Sequence, residues 1–196
     1  MRIIGGSARG TKLRSVPVAS LRPMLDRVKE SLFNIIRDIV PGSRVLDLFS
    51  GSGALGLEAL SRGAQGCVFV EQDRRLAALI MENAERCKVT DRCELVEADA
   101  LQLPRYRPAV RGIPADIVLA GPPYAMIDDP NRRAALFKAL EGMVGPWIGP
   151  QALIVLHHRP IPYAVWPSRR LKQTDKRVYG RSQLTFLELA PGDGDV

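Results

Sequence analysis

The chain has 196 residues, 46% hydrophobic and 25% charged, a balance that suits one soluble α/β-sized domain with a sizeable core. No apolar run approaches the roughly 20 residues of a membrane span, and Met1-Arg2-Ile3-Ile4-Gly5-Gly6 lacks a signal-peptide core, so a cytoplasmic protein is expected. The net charge of +7 is carried by two flanks, residues 1–40 with eight Lys/Arg against three acids and residues 159–181 with seven against one, which points to a polyanionic partner such as RNA or DNA.

Residues 2–16 place two short apolar pieces around glycine-rich turn material, which predicts a β-hairpin with a basic face. Pro23 is placed as a first helical residue. Leu25, Val28, Leu32, Ile35, Ile36 and Ile39 follow at helical spacing, with Asp26, Arg27, Lys29 and Glu30 assigned to the solvated side. Pro41-Gly42 ends that helix.

Val45 to Phe49 is a short apolar run that contains Asp47 and breaks into Gly51, Gly53 and Gly56; Ala54 to Leu60 then resumes with helical spacing. The pattern is a buried strand, a turn and a helix N-terminus, where glycines let backbone N–H groups approach a nucleotide-like ligand beside the positive end of the helix dipole. Residues 67–71 form a second strand ending in Glu71, residues 74–87 a helix, and residues 94–99 a third strand closing on Asp99. Residues 115–120 make a fourth strand that runs into Gly121-Pro122-Pro123-Tyr124, residues 131–144 a helix, and residues 152–157 a fifth strand. A last strand at 184–189 returns as a hairpin to the sheet edge. This alternation implies an α/β fold with a mostly parallel doubly wound sheet that binds its ligand at the carboxyl ends of the strands. Cys67, Cys87 and Cys93 form no C-x-x-C pair and read as reduced packing thiols, and His157 and His158 have no ligand-spaced partner, so no metal is expected.

Gly51-Ser52-Gly53-Ala54-Leu55-Gly56 matches G-x-G-x-x-G, which keeps a nicotinamide enzyme in view. Asp47 before the loop, the third acid Asp99 and the Pro-Pro-Tyr turn favour S-adenosylmethionine instead. In that arrangement Glu71 accepts the ribose hydroxyls, Asp99 with the Ala100 backbone holds the adenine, and Gly51 and Gly53 pass beneath the methionine portion.

Three blocks carry a resemblance over nearly the whole length: Arg2-Ile3-Ile4-Gly5-Gly6 with Arg9-Gly10; Leu21-Arg22-Pro23 with Asp26 to Asn34; and Asp47 to Ala59. With these the chain resembles the RsmD-type 16S rRNA guanine-N2 methyltransferases. The resemblance implies a Rossmann-like S-adenosylmethionine-dependent methyltransferase fold with an antiparallel C-terminal strand. It also implies an N-terminal β-hairpin extension (1–20) on a methyltransferase domain (21–196), and methylation of one guanosine N2 in 16S rRNA within a partly assembled small subunit, by a monomer. The implied cofactor set is Asp47, Phe49, Gly51, Gly53, Glu71, Gln72, Asp99 and Ala100. The implied catalytic set is Gly121, Pro122, Pro123 and Tyr124, with Tyr124 stacking on the base, and Lys12, Arg14, Arg22, Asp26 and Arg27 face the substrate. Arg169, Arg170, Lys172 and Arg177 are further candidate phosphate contacts.

An exocyclic amine is a poor nucleophile because its lone pair is delocalised, so such a site must accept its N–H groups and aim the lone pair at the methyl group. The resemblance places an Asp at position 121, where this chain has glycine. The backbone carbonyls, or Asp128 or Asp129, are the candidate replacements. The alternative readings are an RNA-binding assembly factor with little or no methylation, and a DNA adenine or protein glutamine amino-methyltransferase.

Overall fold

The computed structural model describes residues 1–16, 24–105, 110–111, 113–161 and 166–190. In chain order the elements are α1 (Asp26–Ile35), β1 (Arg44–Leu48), α2 (Ala54–Ser61), β2 (Gly66–Glu71), α3 (Arg74–Cys87), β3 (Cys93–Glu97), β4 (Ala115–Ala120), α4 (Tyr124–Asp128), α5 (Pro130–Met143), β5 (Ile148–His158), β6 (Leu171–Tyr179) and β7 (Ser182–Leu189). The strands form one sheet in the order β3-β2-β1-β4-β5-β7-β6. β1 to β5 run parallel, and β7 lies antiparallel to both β5 and β6.

Side chains on alternating strand positions feed two cores, one on each face. Val45, Phe69, Ile117, Leu119 and Val155 pack beneath α1, α2 and α3, whereas Leu46, Leu48, Val118, Ala120 and Leu156 pack against α5. Strand order reverses between β1 and β4, which opens the crevice at their carboxyl ends.

The C-terminal hairpin differs from the sequence expectation. The strand at 182–189 is interior, and the edge is β6, drawn from the basic segment and paired with β7 from Leu171 to Tyr179. β6 escaped notice because it is exposed along most of its length, so it lacks an apolar stripe.

Helix α1 buries part of its predicted face. Val28, Leu32 and Ile36 are buried as expected, joined by Lys29 and Phe33, while Leu25, Ile35 and Ile39 are exposed. An ion pair holds the buried lysine. Lys29, only 2% exposed, lies 3.2 Å from the fully buried Glu58 of α2 and donates to the Arg2 carbonyl at 2.5 Å. Glu58 also accepts Ile4 N–H and Gly5 N–H, each at 2.8 Å, and Arg62 Nε at 2.8 Å. One buried carboxylate thus ties the N-terminal segment to α1 and α2. That segment forms an antiparallel bridge between Arg2 and Lys12, and a Cβ at Gly6 (φ +76°) would fall 1.8 Å from the Ser61 carbonyl oxygen.

Candidate functional site

A cleft of about 510 Å³ opens at the carboxyl ends of β1, β2 and β4. The β1–α2 turn forms its floor. Phe49, Gly51 and Gly53 all have positive φ, at 59°, 58° and 77°. For a bulky residue such as Phe49 this is a strained conformation. The strain is held by Ser50, whose backbone N–H and hydroxyl both reach the Val70 carbonyl, at 3.1 and 3.2 Å, and whose hydroxyl accepts Val70 N–H at 3.0 Å. Gly56 serves packing rather than ligand approach, since a Cβ there would meet Phe69 Cε1 at 2.4 Å and Cys67 Sγ at 2.6 Å.

Asp47 is buried and accepts Gly56 N–H at 2.9 Å, which caps the first turn of α2. Burial pushes its carboxyl up to about 8; the bond from Gly56 opposes the shift and the charge of Glu71 adds to it. Glu71 accepts Gly51 N–H at 2.8 Å and Asp73 N–H at 3.0 Å, so the acid ending β2 holds the glycine loop in place. Asp99 accepts Leu101 N–H at 3.0 Å. These acids border the cleft together with Phe49, Gly51, Gln72 and Ala100.

Gly121, Pro122, Pro123 and Tyr124 line the opposite end. Gly121 N–H donates to the Leu48 carbonyl at 3.3 Å, and a Cβ built on Gly121 would meet no atom within 4 Å. Neither proposed replacement acid reaches this corner. Asp128 is held by Arg159 at 2.5 Å, and Asp129 caps α5 by accepting Asn131 and Arg132 N–H at 2.8 and 3.0 Å.

Most of the expected cofactor and catalytic residues converge here, and the exception is Gly53. It lies outside the lining as the N-cap of α2, where a Cβ would come 3.2 Å from Ile80 Cγ2. The expected substrate residues that are described do not line the cleft. Arg14 pairs with Glu82 at 2.7 Å, Asp26 with Arg2 at 3.1 Å, Lys12 and Arg27 are exposed, and Arg22 lies outside the described residues. Their neighbours do line it: Met1, Ser15, Val16 and Met24 form one wall. Fully buried Asn83 fixes that wall to the glycine loop. Its Nδ2 donates to the Arg14 and Ser52 carbonyls, both at 3.1 Å, and its Oδ1 accepts Arg14 N–H at 2.8 Å.

Sequence reasoning missed Asn83 and Glu58, and it weighed His157 only as a metal ligand. Asn83 and Glu58 sit within helices as polar residues on otherwise apolar faces, which is the one signal that marks them. His157 borders the cleft from the end of β5. Burial drives its imidazole down to about 4, with His158 adding to the shift. The cysteines take no part: all three are free, and burial raises each thiol, Cys93 to about 12.

The family model described as conserved hypothetical protein 95 matches residues 1–188. Ribosomal RNA small subunit methyltransferase D of Escherichia coli (strain K12) is 35% identical over 190 residues, covering 92% of this chain and 90% of that protein. A solved hypothetical protein of Thermus thermophilus superposes with a TM-score of 0.76 at 34% identity, covering 96% of this chain and 99% of that one. An RNA methyltransferase from Salinibacter ruber, solved with S-adenosyl-L-homocysteine, shares the fold, with a TM-score of 0.63 at 17% identity over 89% of this chain and 98% of that one. With the match running from the N-terminal segment held by Glu58 through the glycine loop and on to β7, the chain belongs to the RsmD-type methyltransferase family.

Proposed function

We propose that the protein transfers a methyl group from S-adenosylmethionine to the exocyclic N2 of one guanosine in 16S rRNA, acting as a cytoplasmic monomer on a partly assembled small subunit. It is a methyltransferase of the rRNA-modifying family, and the observation that carries the finer reading is the single cleft joining a glycine loop and three strand-end acids to a Pro-Pro-Tyr turn. The cavity's lining suits the methyl donor. Glu71 would take the ribose hydroxyls on the lone pairs left free by Gly51 and Asp73, Asp99 and Ala100 would hold the adenine, and Asp47 would face the cationic methionine end. The donor supplies an electrophilic methyl on a sulfonium. The chain's own residues bind, orient and exclude water: Pro122 and Pro123 fix the turn, and Tyr124 stacks on the presented base.

The RNA-facing side in this reading is where the two basic flanks meet. Ser31 of α1 hydrogen-bonds the Tyr179 hydroxyl, which brings exposed Arg27 beside the β6–β7 turn and its cations Lys176, Arg177 and Arg181. The N-terminal extension (1–20) acts as a wall of the methyltransferase domain (21–196). Neither the assembly-factor reading nor the DNA-adenine reading gains support from the relatives.

The test is tritium transfer from S-adenosylmethionine into small subunits prepared from a strain lacking this protein. Label in 16S rRNA that digests to N2-methylguanosine is expected; label in another nucleoside or in ribosomal protein, or none, overturns the reading.

A further inference from the structure

Two adjacent histidines end β5 in opposite situations. His158 is fully buried and both ring nitrogens are engaged: Nδ1 lies 2.7 Å from the Arg159 carbonyl and Nε2 lies 2.9 Å from the Thr185 hydroxyl, with the Trp166 ring edge-on at 5.4 Å. His157 is 9% exposed and borders the cleft, and its buried Nε2 has no hydrogen-bond partner among the described residues. A buried polar atom in that state is unfavourable unless something else satisfies it. The other such side-chain atom among the described residues, Arg133 Nε, belongs to α5 and does not border the cleft.

The location of His157 is specific. Ala120 pairs with Leu156 in the parallel β4–β5 ladder, so Gly121, the first residue beyond β4, lies beside His157, which stays in β5 and pairs with Leu184 of β7 on its other side. Strand alternation puts both on the face of Leu119 and Val155, which is also the face of Asp47. Gly121, with empty space where a Cβ would stand, and His157, with its unpartnered Nε2, are therefore neighbours in the lining of the cleft.

We propose that His157 is the acceptor for the N–H of the substrate's exocyclic amine, filling the role that a carboxylate at position 121 would otherwise take; this rests on the amine-methylation reading above. The imidazole is neutral at physiological pH, and the tautomer protonated at Nδ1 presents a lone pair on Nε2. Accepting one N–H orients the amine and withdraws its lone pair from the ring. That lone pair forms the new N–C bond while the C–S bond pair returns to sulfur and cancels its charge. The nitrogen, momentarily cationic, releases one proton to the imidazole, and the imidazolium passes it to water. A protonated amine conjugated to a purine is a much stronger acid than imidazolium, so even a weakly basic histidine receives that proton downhill.

Four proteins test this: wild type, His157→Ala, His157→Gln, and His157→Ala combined with Gly121→Asp. Each is assayed for methyl transfer to small subunits from a strain lacking the protein, for calorimetric affinity for S-adenosylhomocysteine, and for melting temperature. His157→Ala is expected to lower kcat by roughly 10²-fold, the cost of one positioned contact to a reacting group, with the affinity for S-adenosylhomocysteine within about twofold of wild type. Glutamine retains an acceptor, so His157→Gln keeps more activity than alanine does, and Gly121→Asp restores at least about tenfold to the alanine variant. Unchanged activity in folded His157→Ala, a parallel loss of S-adenosylhomocysteine affinity, or failure of the aspartate to restore turnover overturns the inference while leaving the functional reading in place. A wild-type protein that binds S-adenosylhomocysteine and methylates no small-subunit RNA overturns the functional reading, and the inference with it.

Discussion

At the end of the cleft proposed to take the methyl donor, the polar groups are committed to the scaffold before any ligand arrives. Asp47 holds Gly56, Glu71 holds Gly51 and Asp73, and Asp99 holds Leu101, each through a carboxyl oxygen accepting backbone N–H. At the acceptor end Gly121 has no side chain and His157 Nε2 has no partner among the described residues. On the proposed reading, one end is a preformed mould whose acids would do double duty, and the other would be completed by the base. A ligand at the first end replaces little, whereas a ligand at the second would satisfy a buried atom that has no partner among the described residues.

The scaffold behind the donor end gives the largest expected effect. Glu58→Ala leaves Lys29 buried without its counter-ion and frees the Ile4 and Gly5 amides, so unfolding free energy is expected to fall by about 3–5 kcal/mol in urea titrations. A loss below about 1 kcal/mol would mean that the N-terminal segment is held by packing alone. Next in size is Glu71→Gln. It removes the charge that anchors Gly51 and awaits the ribose hydroxyls, and S-adenosylhomocysteine binding is expected to weaken about 10- to 100-fold by calorimetry. Unaltered affinity would show that Glu71 serves the loop and not the ligand.

The same division separates what the sequence made legible from what it did not. Asp47, Glu71 and Asp99 end apolar strands, and the glycines between positions 51 and 56 break the pattern, so the donor end could be read from period and punctuation. Gly53 and Gly56 proved to serve the helix cap and the packing on Phe69, roles that a motif cannot separate from ligand approach. The face of α1 was misread at Lys29 because this residue, charged and adjacent to Glu30, finds its partner 29 residues away in Glu58, and no local pattern encodes that pairing. The place of His157 at the cleft was hidden for a related reason. A histidine at a strand end gains significance only when the β4–β5 register sets it beside Gly121. β6 lacked the apolar stripe that marks a half-buried strand, since its role is to extend the sheet as a charged edge.

A smaller effect probes the acid shared by fold and site. The Asp47 carboxyl sits at about 8 in the folded protein against 3.8 for the ordinary side chain, so between those values the folded state binds the extra proton and stability falls as pH rises. Asp47→Asn removes that proton uptake and keeps an oxygen to accept Gly56 N–H. Melting temperatures measured from about pH 5 to about pH 9 are expected to decline for wild type and to stay flatter for the variant. Parallel curves would place the burial cost elsewhere.

The smallest expected effect tests the acceptor end from the other side. Gly121→Asp introduces a carboxylate into space where a Cβ meets nothing within 4 Å, on backbone without positive φ, so neither clash nor strain opposes it. If the corner is short of an acceptor, methyl transfer to small subunits rises with S-adenosylhomocysteine affinity unchanged, because the new group touches the incoming amine and not the donor. The gain in wild type is held to roughly threefold to tenfold, since His157 already supplies one acceptor and a second contact to the same amine adds less than the first. Equal or lower turnover would mean that the corner is complete as it stands, and the contrast between a preformed and an unfinished end would then fail at the residue where it is sharpest.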